Sequence, residues 1–166
     1  MMIIPNCGIT NTDAVVTKEC IMSKDSDGYK KTKQYHTGID IEADAIYSLY
    51  DGIIVMIGSD GRGSTVIIRT GSSFCVSYSN ILNTASIALG EDIHSGDTIG
   101  TVKKYVHVEY LTHTESNWPV RIGQDTWYKT NTDGLFTVLD NATSNLTKQD
   151  MFSYVDVVEI PDGIMD

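Results

Sequence analysis

The fold is decided by a stretch that reads Tyr105-Val106-His107-Val108-Glu109-Tyr110-Leu111. Successive side chains of a β-strand point to opposite faces. The tyrosine, the histidine and the glutamate at the first, third and fifth positions therefore share one face, and the two valines share the other. This alternation predicts a strand that holds a histidine on the polar face of an otherwise apolar segment.

Outward from this strand, residues 36–111 keep the same texture. Short apolar runs alternate with turn residues, and no stretch holds the 3.6-residue period of a helix. β-branched and aromatic residues, which favour strands, are concentrated in residues 65–69, 74–78 and 105–111. The pattern predicts an all-β protein with antiparallel strands.

Two glycine-containing dipeptides predict tight turns between strands. Asp51-Gly52 separates residues 46–50 from residues 53–57, and Gly71-Ser72 precedes residues 74–78. Glycine tolerates the positive φ angles that two-residue hairpin turns need. We therefore expect a β-hairpin at each dipeptide.

The composition indicates one domain with a packed core. The chain has 166 residues, of which 41% are hydrophobic and 20% charged, as in an average soluble globular protein. The formal net charge of −10 disfavours nucleic acid as a partner, because the phosphate backbone would be repelled. The longest apolar run, residues 53–57, is far shorter than the roughly 20 residues that span a bilayer.

The chain is expected to divide into three segments. Residues 1–29 form an N-terminal segment packed on the core, residues 30–111 form the β domain, and residues 112–166 form an irregular C-terminal extension. The extension is polar with scattered aromatic residues, and residues 144–154 could hold one short helix. The N-terminal residues 1–8 lack the basic region and the long apolar stretch of a secretory signal.

Two sequence elements could supply metal ligands. In His36-Thr-Gly-Ile-Asp40 an imidazole and a carboxylate flank a glycine, and both side chains are typical zinc ligands. His107 could add a third. Three protein ligands with an open fourth position is the arrangement of a catalytic zinc site.

These elements resemble the lysostaphin-type (LytM-like) zinc metallopeptidases. The resemblance covers about residues 30–111, in which four segments follow in the expected order: 36–41, 46–55, 90–100 and 107–109. It implies an antiparallel β-sandwich of the LytM-like, duplicated hybrid motif type with a groove. It also implies a zinc ion held by His36, Asp40 and His107, and cleavage of peptide cross-links in the bacterial cell wall.

The chain departs from the family pattern at two catalytic positions. The family carries two further histidines, one after a tyrosine that follows the middle strands and one two residues before the last ligand. Here these positions match Asn80 and Tyr105. Asn80 can donate a hydrogen bond but cannot accept a proton at neutral pH. Tyr105 is a poor base, because an unperturbed phenol has a pKa of about 10.

The two remaining histidines are not expected to replace the missing pair. His94 lies in a predicted turn region, and His113 follows His107 by six residues. That separation corresponds to about 20 Å along an extended strand. Loss of each catalytic imidazole commonly lowers a rate by about 10² to 10⁴, so hydrolysis is expected to be slow or undetectable.

Three functions are compatible with these residues. The favoured one is a degenerate peptidase domain that serves as a structural or cell-wall-engaging component of a phage tail tip or hub. The alternative is an active zinc endopeptidase that cleaves peptidoglycan cross-links during phage entry. A phosphocarrier of similar fold would need a paired-histidine phosphoryl site, which the sequence does not contain.

The location in a virion is an expectation by association with the fold. Bacterial enzymes of this family must cross a membrane to reach their substrate, whereas a phage tail is assembled in the host cytoplasm and meets the wall from outside. The expected partners are other tail proteins in an oligomeric assembly and peptidoglycan, and the expected cofactor is zinc.

Overall fold

The structure, a computed structural model, describes residues 2–4, 14–59, 63–71 and 74–132. Within these ranges lie eleven strands and one short helix, α1 (Asp27–Thr32). The strands are β1 (Met2–Ile4), β2 (Ala14–Lys18), β3 (Ile39–Glu42), β4 (Ala45–Tyr47), β5 (Gly52–Ser59), β6 (Ser64–Thr70), β7 (Phe74–Thr84), β8 (Asp92–Ile93), β9 (Thr98–Thr112), β10 (Pro119–Ile122) and β11 (Asp125–Thr130).

Strand β9 organises the sheet. It is the longest of the described strands, with 15 residues, and it pairs with β7 along one edge. Along the other edge it pairs in turn with β4, β3 and β11. Because β9 contains the stretch 105–111, the segment with the clearest alternation in the sequence is also the one that joins the most strands.

All strand pairs that the structure describes are antiparallel. The main path of the sheet runs β1-β2-β3-β9-β7-β6-β5-β8, and it does not close into a barrel. The predicted all-β, antiparallel fold class is confirmed. The predicted strands at 65–69, 74–78 and 105–111 lie within β6, β7 and β9, and β6 pairs with β7 as the Gly71-Ser72 turn predicts.

The hairpin predicted at Asp51-Gly52 is wrong. Gly52 begins β5, which pairs with β6 and β8, whereas β4 pairs with β9. A Cβ atom at Gly52 would lie 2.5 Å from Cγ2 of Ile68 and 2.7 Å from the carbonyl oxygen of Arg69. Glycine is needed here for the close approach of two strands and not for a two-residue turn.

The two faces of the sheet bury different clusters. Ile39, Ile41, Val106 and Val108 belong to the larger cluster. The smaller cluster includes Leu111 of β9 together with residues of the β10–β11 hairpin, among them the fully buried Trp127. Because neighbouring side chains alternate, His107, which lies between Val106 and Val108, faces the side of the smaller cluster.

The C-terminal part of the described chain is regular. Residues 119–130, within the segment expected to be irregular, form the β10–β11 hairpin, and β11 joins the edge of β9. The helix predicted within residues 144–154 lies outside the described residues. None of the helical structure in the described part of the chain is long and apolar enough to cross a membrane.

Candidate metal centre

Asp40 and His107 face each other across two paired strands. The register of β3 against β9 places Asp40 directly opposite His107. Side chains in such a pair have Cβ atoms about 4.5–5.5 Å apart. The flanking pairs bury their apolar side chains in the larger cluster, so both polar side chains emerge on the opposite face.

His36 precedes β3 and is held by its own backbone. Its N–H and carbonyl groups exchange hydrogen bonds with those of Ile21, at 2.9 Å and 2.8 Å. Gly38, between His36 and Asp40, has a φ of +128°. A Cβ atom there would lie 2.5 Å from the carbonyl oxygen of Val108 and 2.9 Å from Nε2 of His107. The glycine therefore lets this segment approach β9 closely enough for the three side chains to meet.

The structure brings His36, Asp40 and His107 together. Each offers one ligand atom, and these atoms lie within 4.8 Å of one another. His36 and His107 are buried, and the side chain of Asp40 is 13% exposed. Within the described residues this is the group of histidine, cysteine and acidic side chains that could hold a metal ion.

The hydrogen bonds of His36 leave one nitrogen available. Nδ1 lies 2.9 Å from the carbonyl oxygen of Glu19. Because a carbonyl oxygen only accepts, Nδ1 donates to it, and Nε2 is the nitrogen that remains for a metal. Among the described residues Nε2 has no hydrogen-bond partner, although it is buried and lies 3.3 Å from Oδ1 of Asp40. A buried lone pair beside a carboxylate oxygen is an environment that a cation satisfies.

His107 is fixed by acceptors on one nitrogen. Nε2 lies 2.8 Å from Oε1 of Glu109 and 3.0 Å from the carbonyl oxygen of Thr37. Nε2 therefore donates its N–H, and Nδ1 faces Oδ1 of Asp40 at 2.7 Å. Burial alone would lower the pKa of His107, but the hydrogen bonds with Asp40 and Glu109 outweigh it and raise the pKa from 6.5 to about 9. Without a metal, a proton thus occupies the space between Nδ1 and Asp40.

Asp40 is ionised at neutral pH. Burial alone would raise the pKa of its carboxyl group, but the interactions with His107 and His36 lower the pKa from 3.8 to about 2. Nε2 of His36, Nδ1 of His107 and a carboxylate oxygen of Asp40 thus converge, each with a lone pair available once the proton leaves His107. This donor set of two imidazoles and one carboxylate fits zinc.

A buried network behind His107 was not predicted from the sequence. Oε1 of Glu109 also contacts Nζ of Lys129 at 2.8 Å, and Nζ donates to Oγ1 of Thr37 at 2.7 Å. The sequence did indicate that Glu109 shares a face with His107, since the two are separated by one residue on a strand. It contained no comparable signal for Lys129, which lies on β11.

Asn80 and Tyr105, which the sequence matches to the two accessory histidines of the family pattern, are neighbours. Nδ2 of Asn80 donates to the carbonyl oxygen of Tyr105 at 2.8 Å. Asn80 sits at a bulge of β7 with a φ of 66°, between residues paired with His107 and Val102. Tyr105 is two residues before His107 on β9, and 38% of it is exposed.

The other two histidines have different surroundings. Nδ1 of the exposed His94 lies 3.7 Å from Oδ1 of Asp51. His113 stacks on Trp127, with ring centroids 3.8 Å apart. Neither belongs to the group of side chains whose ligand atoms converge.

Comparison with models of known protein families finds a match. A sequence model of peptidase family M23 matches residues 34–119, just over half of the 166-residue chain and the segment that contains all three converging side chains. No curated protein sequence matches the chain significantly.

Several solved structures share the fold. A mutant catalytic domain of the prophage-encoded M23 protein EnpA from Enterococcus faecalis is 20% identical, with a TM-score of 0.52 over 72% of this chain and 89% of that one. The solution structure of lysostaphin is 13% identical, with a TM-score of 0.55 over 90% of this chain and 58% of that one. A zinc-containing peptidase from Vibrio cholerae is 17% identical, with a TM-score of 0.51 over 67% of this chain and 37% of that one.

Proposed function

Because the chain belongs to peptidase family M23, we propose that it is a degenerate member, a peptidase-like domain that serves as a structural or cell-wall-engaging component of a phage tail tip or hub. The observation that carries the proposal is the hydrogen bond from the amide of Asn80 to the backbone of Tyr105, the two residues that the sequence matches to the accessory histidines of the family pattern.

The metal site is proposed to be retained. Zinc would be held by Nε2 of His36, a carboxylate oxygen of Asp40 and Nδ1 of His107. When bound in a peptidase site, zinc supplies a Lewis acid that activates water and polarises the substrate carbonyl group. In this chain Nε2 of His36 and Nδ1 of His107 face Asp40, because acceptors hold the opposite nitrogen of each ring. A bound metal also stabilises the folded chain by mass action.

Asn80 and Tyr105 supply little proton transfer. A carboxamide neither accepts nor releases a proton near neutral pH. A phenol can donate a hydrogen bond to a developing oxyanion but is a weak base under the same conditions. The site therefore retains residues that could bind metal and orient a peptide, and it lacks the general base that hydrolysis needs.

The alternative function is an active zinc endopeptidase that cleaves peptidoglycan cross-links during phage entry. The converging His36, Asp40 and His107 support it, because these are the groups that such an enzyme needs for its metal. On this alternative, Tyr105 would have to act in proton transfer itself.

The proposed setting is a virion, assembled in the host cytoplasm, with other tail proteins and peptidoglycan as partners in an oligomeric assembly. Its support is an association of fold: a prophage encodes one of the structurally similar proteins. The net charge of −10 argues against nucleic acid as the partner.

The test of catalysis compares the natural chain with the N80H/Y105H variant in dye release from purified cell walls, with zinc supplied. We expect little release by the natural chain and an increase of about 100-fold or more in the variant, the range of one or two restored catalytic groups. Histidine is tolerated at positive φ better than most residues, so the bulge at Asn80 should accept it.

The matched control is N80G/Y105F, which changes the same two positions without adding an imidazole. It should remain as inactive as the natural chain. Strong hydrolysis by the natural chain that a chelator abolishes would replace the degenerate function with the active one. Absence of the chain from purified particles of a phage that encodes it, measured by mass spectrometry, would refute the virion location.

A further inference from the structure

Lys129 is a buried cation close to the candidate metal centre. It is 1% exposed and lies on β11, outside the residues 34–119 that the family model matches. The register of β11 against β9 pairs Lys129 with Leu111, on the face that also carries His107 and Glu109. Full burial of an ammonium group is costly unless the charge is paired. The contacts of Nζ therefore show what compensates the buried charge of Lys129.

The ammonium group contacts both residues that accept from His107. Nζ lies 2.8 Å from Oε1 of Glu109, the same oxygen that lies 2.8 Å from Nε2 of His107. Nζ also donates to Oγ1 of Thr37 at 2.7 Å, while the carbonyl oxygen of Thr37 lies 3.0 Å from the same Nε2. Oγ1 of Thr37 in turn donates to Oε1 of Glu109 at 3.2 Å.

These contacts connect Lys129 to the imidazole of His107 through two shared neighbours, Glu109 and Thr37. The ammonium compensates the buried charge of Glu109, and its two contacts fix where the carboxylate oxygen lies. Oε1 of Glu109 accepts from Nε2 of His107, and this contact turns Nδ1 of the ring toward Asp40. Acceptors behind a metal-ligating histidine fix its tautomer and ring orientation, and their loss commonly costs about 10- to 100-fold in metal affinity.

We propose that Lys129 is a positioning residue for the metal centre: through Glu109 and Thr37 it holds the His107 ring in the orientation that directs Nδ1 toward the ion. This inference rests on the proposed metal site. It assigns to the β10–β11 hairpin, which lies mostly beyond the matched family segment, a role in metal binding.

The test measures zinc affinity of the full chain by competition with a chromophoric chelator at one fixed pH. K129M keeps the length of the side chain and removes the charge. We expect its zinc affinity to fall by about 10- to 100-fold, the range for loss of a group behind a metal ligand. Two controls should bind zinc as the natural chain does. I122V perturbs the packing of the same hairpin, and K30M removes an exposed charge on α1.

A double-variant cycle distinguishes positioning from a general loss of stability. If Lys129 acts through Glu109, K129M should lower affinity much less in the E109Q background than in the natural chain, because the carboxylate it orients is already gone. Equal losses in both backgrounds would overturn the proposal, as would an unchanged affinity in folded K129M.

A variant that fails to fold still leaves the proposal testable. K129M can leave the charge of Glu109 unpaired, which is strongly destabilising, whereas K129M/E109Q leaves no unpaired charge. If K129M does not fold, the double variant should show the 10- to 100-fold loss on its own, and natural affinity in it would overturn the inference. If the natural chain itself binds no zinc, the proposed metal site fails, which is a separate result from zinc binding that is insensitive to Lys129.

Discussion

The candidate metal centre and the pair formed by Asn80 and Tyr105 are held in different ways, although both include a residue of strand β9. The three converging side chains are largely buried. In each histidine the ring nitrogen that points away from Asp40 contacts an acceptor, the carbonyl oxygen of Glu19 for His36 and Oε1 of Glu109 for His107. Asn80 and Tyr105 lie at a bulge and at a partly exposed position. The orientation of the ligand set thus depends on backbone and buried contacts that the fold supplies. Asn80 and Tyr105 are joined by one hydrogen bond, from Nδ2 of Asn80 to the carbonyl oxygen of Tyr105.

Removal of one proposed ligand should have the largest effect on zinc affinity. H36A should lower zinc affinity by more than about 100-fold, because loss of a ligand should exceed the largest effect expected from loss of a group behind it. The measurement is chelator competition, with circular dichroism to verify folding. H94A is the matched control, since His94 is exposed and contacts Asp51 instead. Equal zinc binding by both variants would contradict the proposed site.

A second test uses pH, because a proton occupies the position between His107 and Asp40 when metal is absent. The raised pKa of His107 means that this proton stabilises the metal-free fold fully below pH 6.5, and that the stabilisation is lost as pH rises through about 9. The pKa of Asp40, about 2, keeps that carboxylate ionised throughout.

Zinc at the proposed site would compete with this proton for Nδ1 of His107. Zinc affinity should therefore rise by about tenfold per pH unit toward pH 9, while the urea midpoint of the metal-free chain falls. Both are measured at pH 6.5, 7.5 and 8.5, values chosen to lie between the ordinary and the raised pKa of His107. A zinc affinity that does not change with pH over this range would contradict the presence of a proton between Nδ1 of His107 and Asp40. H94A should keep the slope, since His94 lies outside the cluster.

The smallest expected effect is on the stability of variants at Asn80. Asn80 has a φ of 66°, a conformation that costs most side chains with a Cβ about 1–2 kcal/mol and costs glycine nothing. The free energy of unfolding of N80A should therefore be lower than that of N80G by roughly that amount, and N80A should unfold at a lower urea concentration. Zinc affinity should be unchanged in both variants. A loss of zinc affinity in either would show that the two regions are coupled and not independent.

Much of the fold follows from local pattern. The period-two alternation of residues 105–111 predicts a strand, and that strand is the one on which the sheet is built. The Gly71-Ser72 turn predicts the pairing of its flanking strands correctly because the pairing is local. The Asp51-Gly52 prediction failed because the same residue type serves two purposes. Whether a glycine makes a turn or admits a neighbouring strand depends on what packs against it.

For the candidate site, too, some features follow from the sequence and others only from the tertiary structure. The sequence contains the residue types that could bind metal, and it matches Asn80 and Tyr105 to the two accessory histidines of the family pattern, because both inferences follow from residue identity at fixed spacing. Only the tertiary structure decided which nitrogen of each histidine faces inward, and that Lys129 is buried behind Glu109. A lysine in an alternating segment is ordinarily solvent-exposed. Its burial here results from the register of β11 on β9, a pairing that short-range pattern cannot specify.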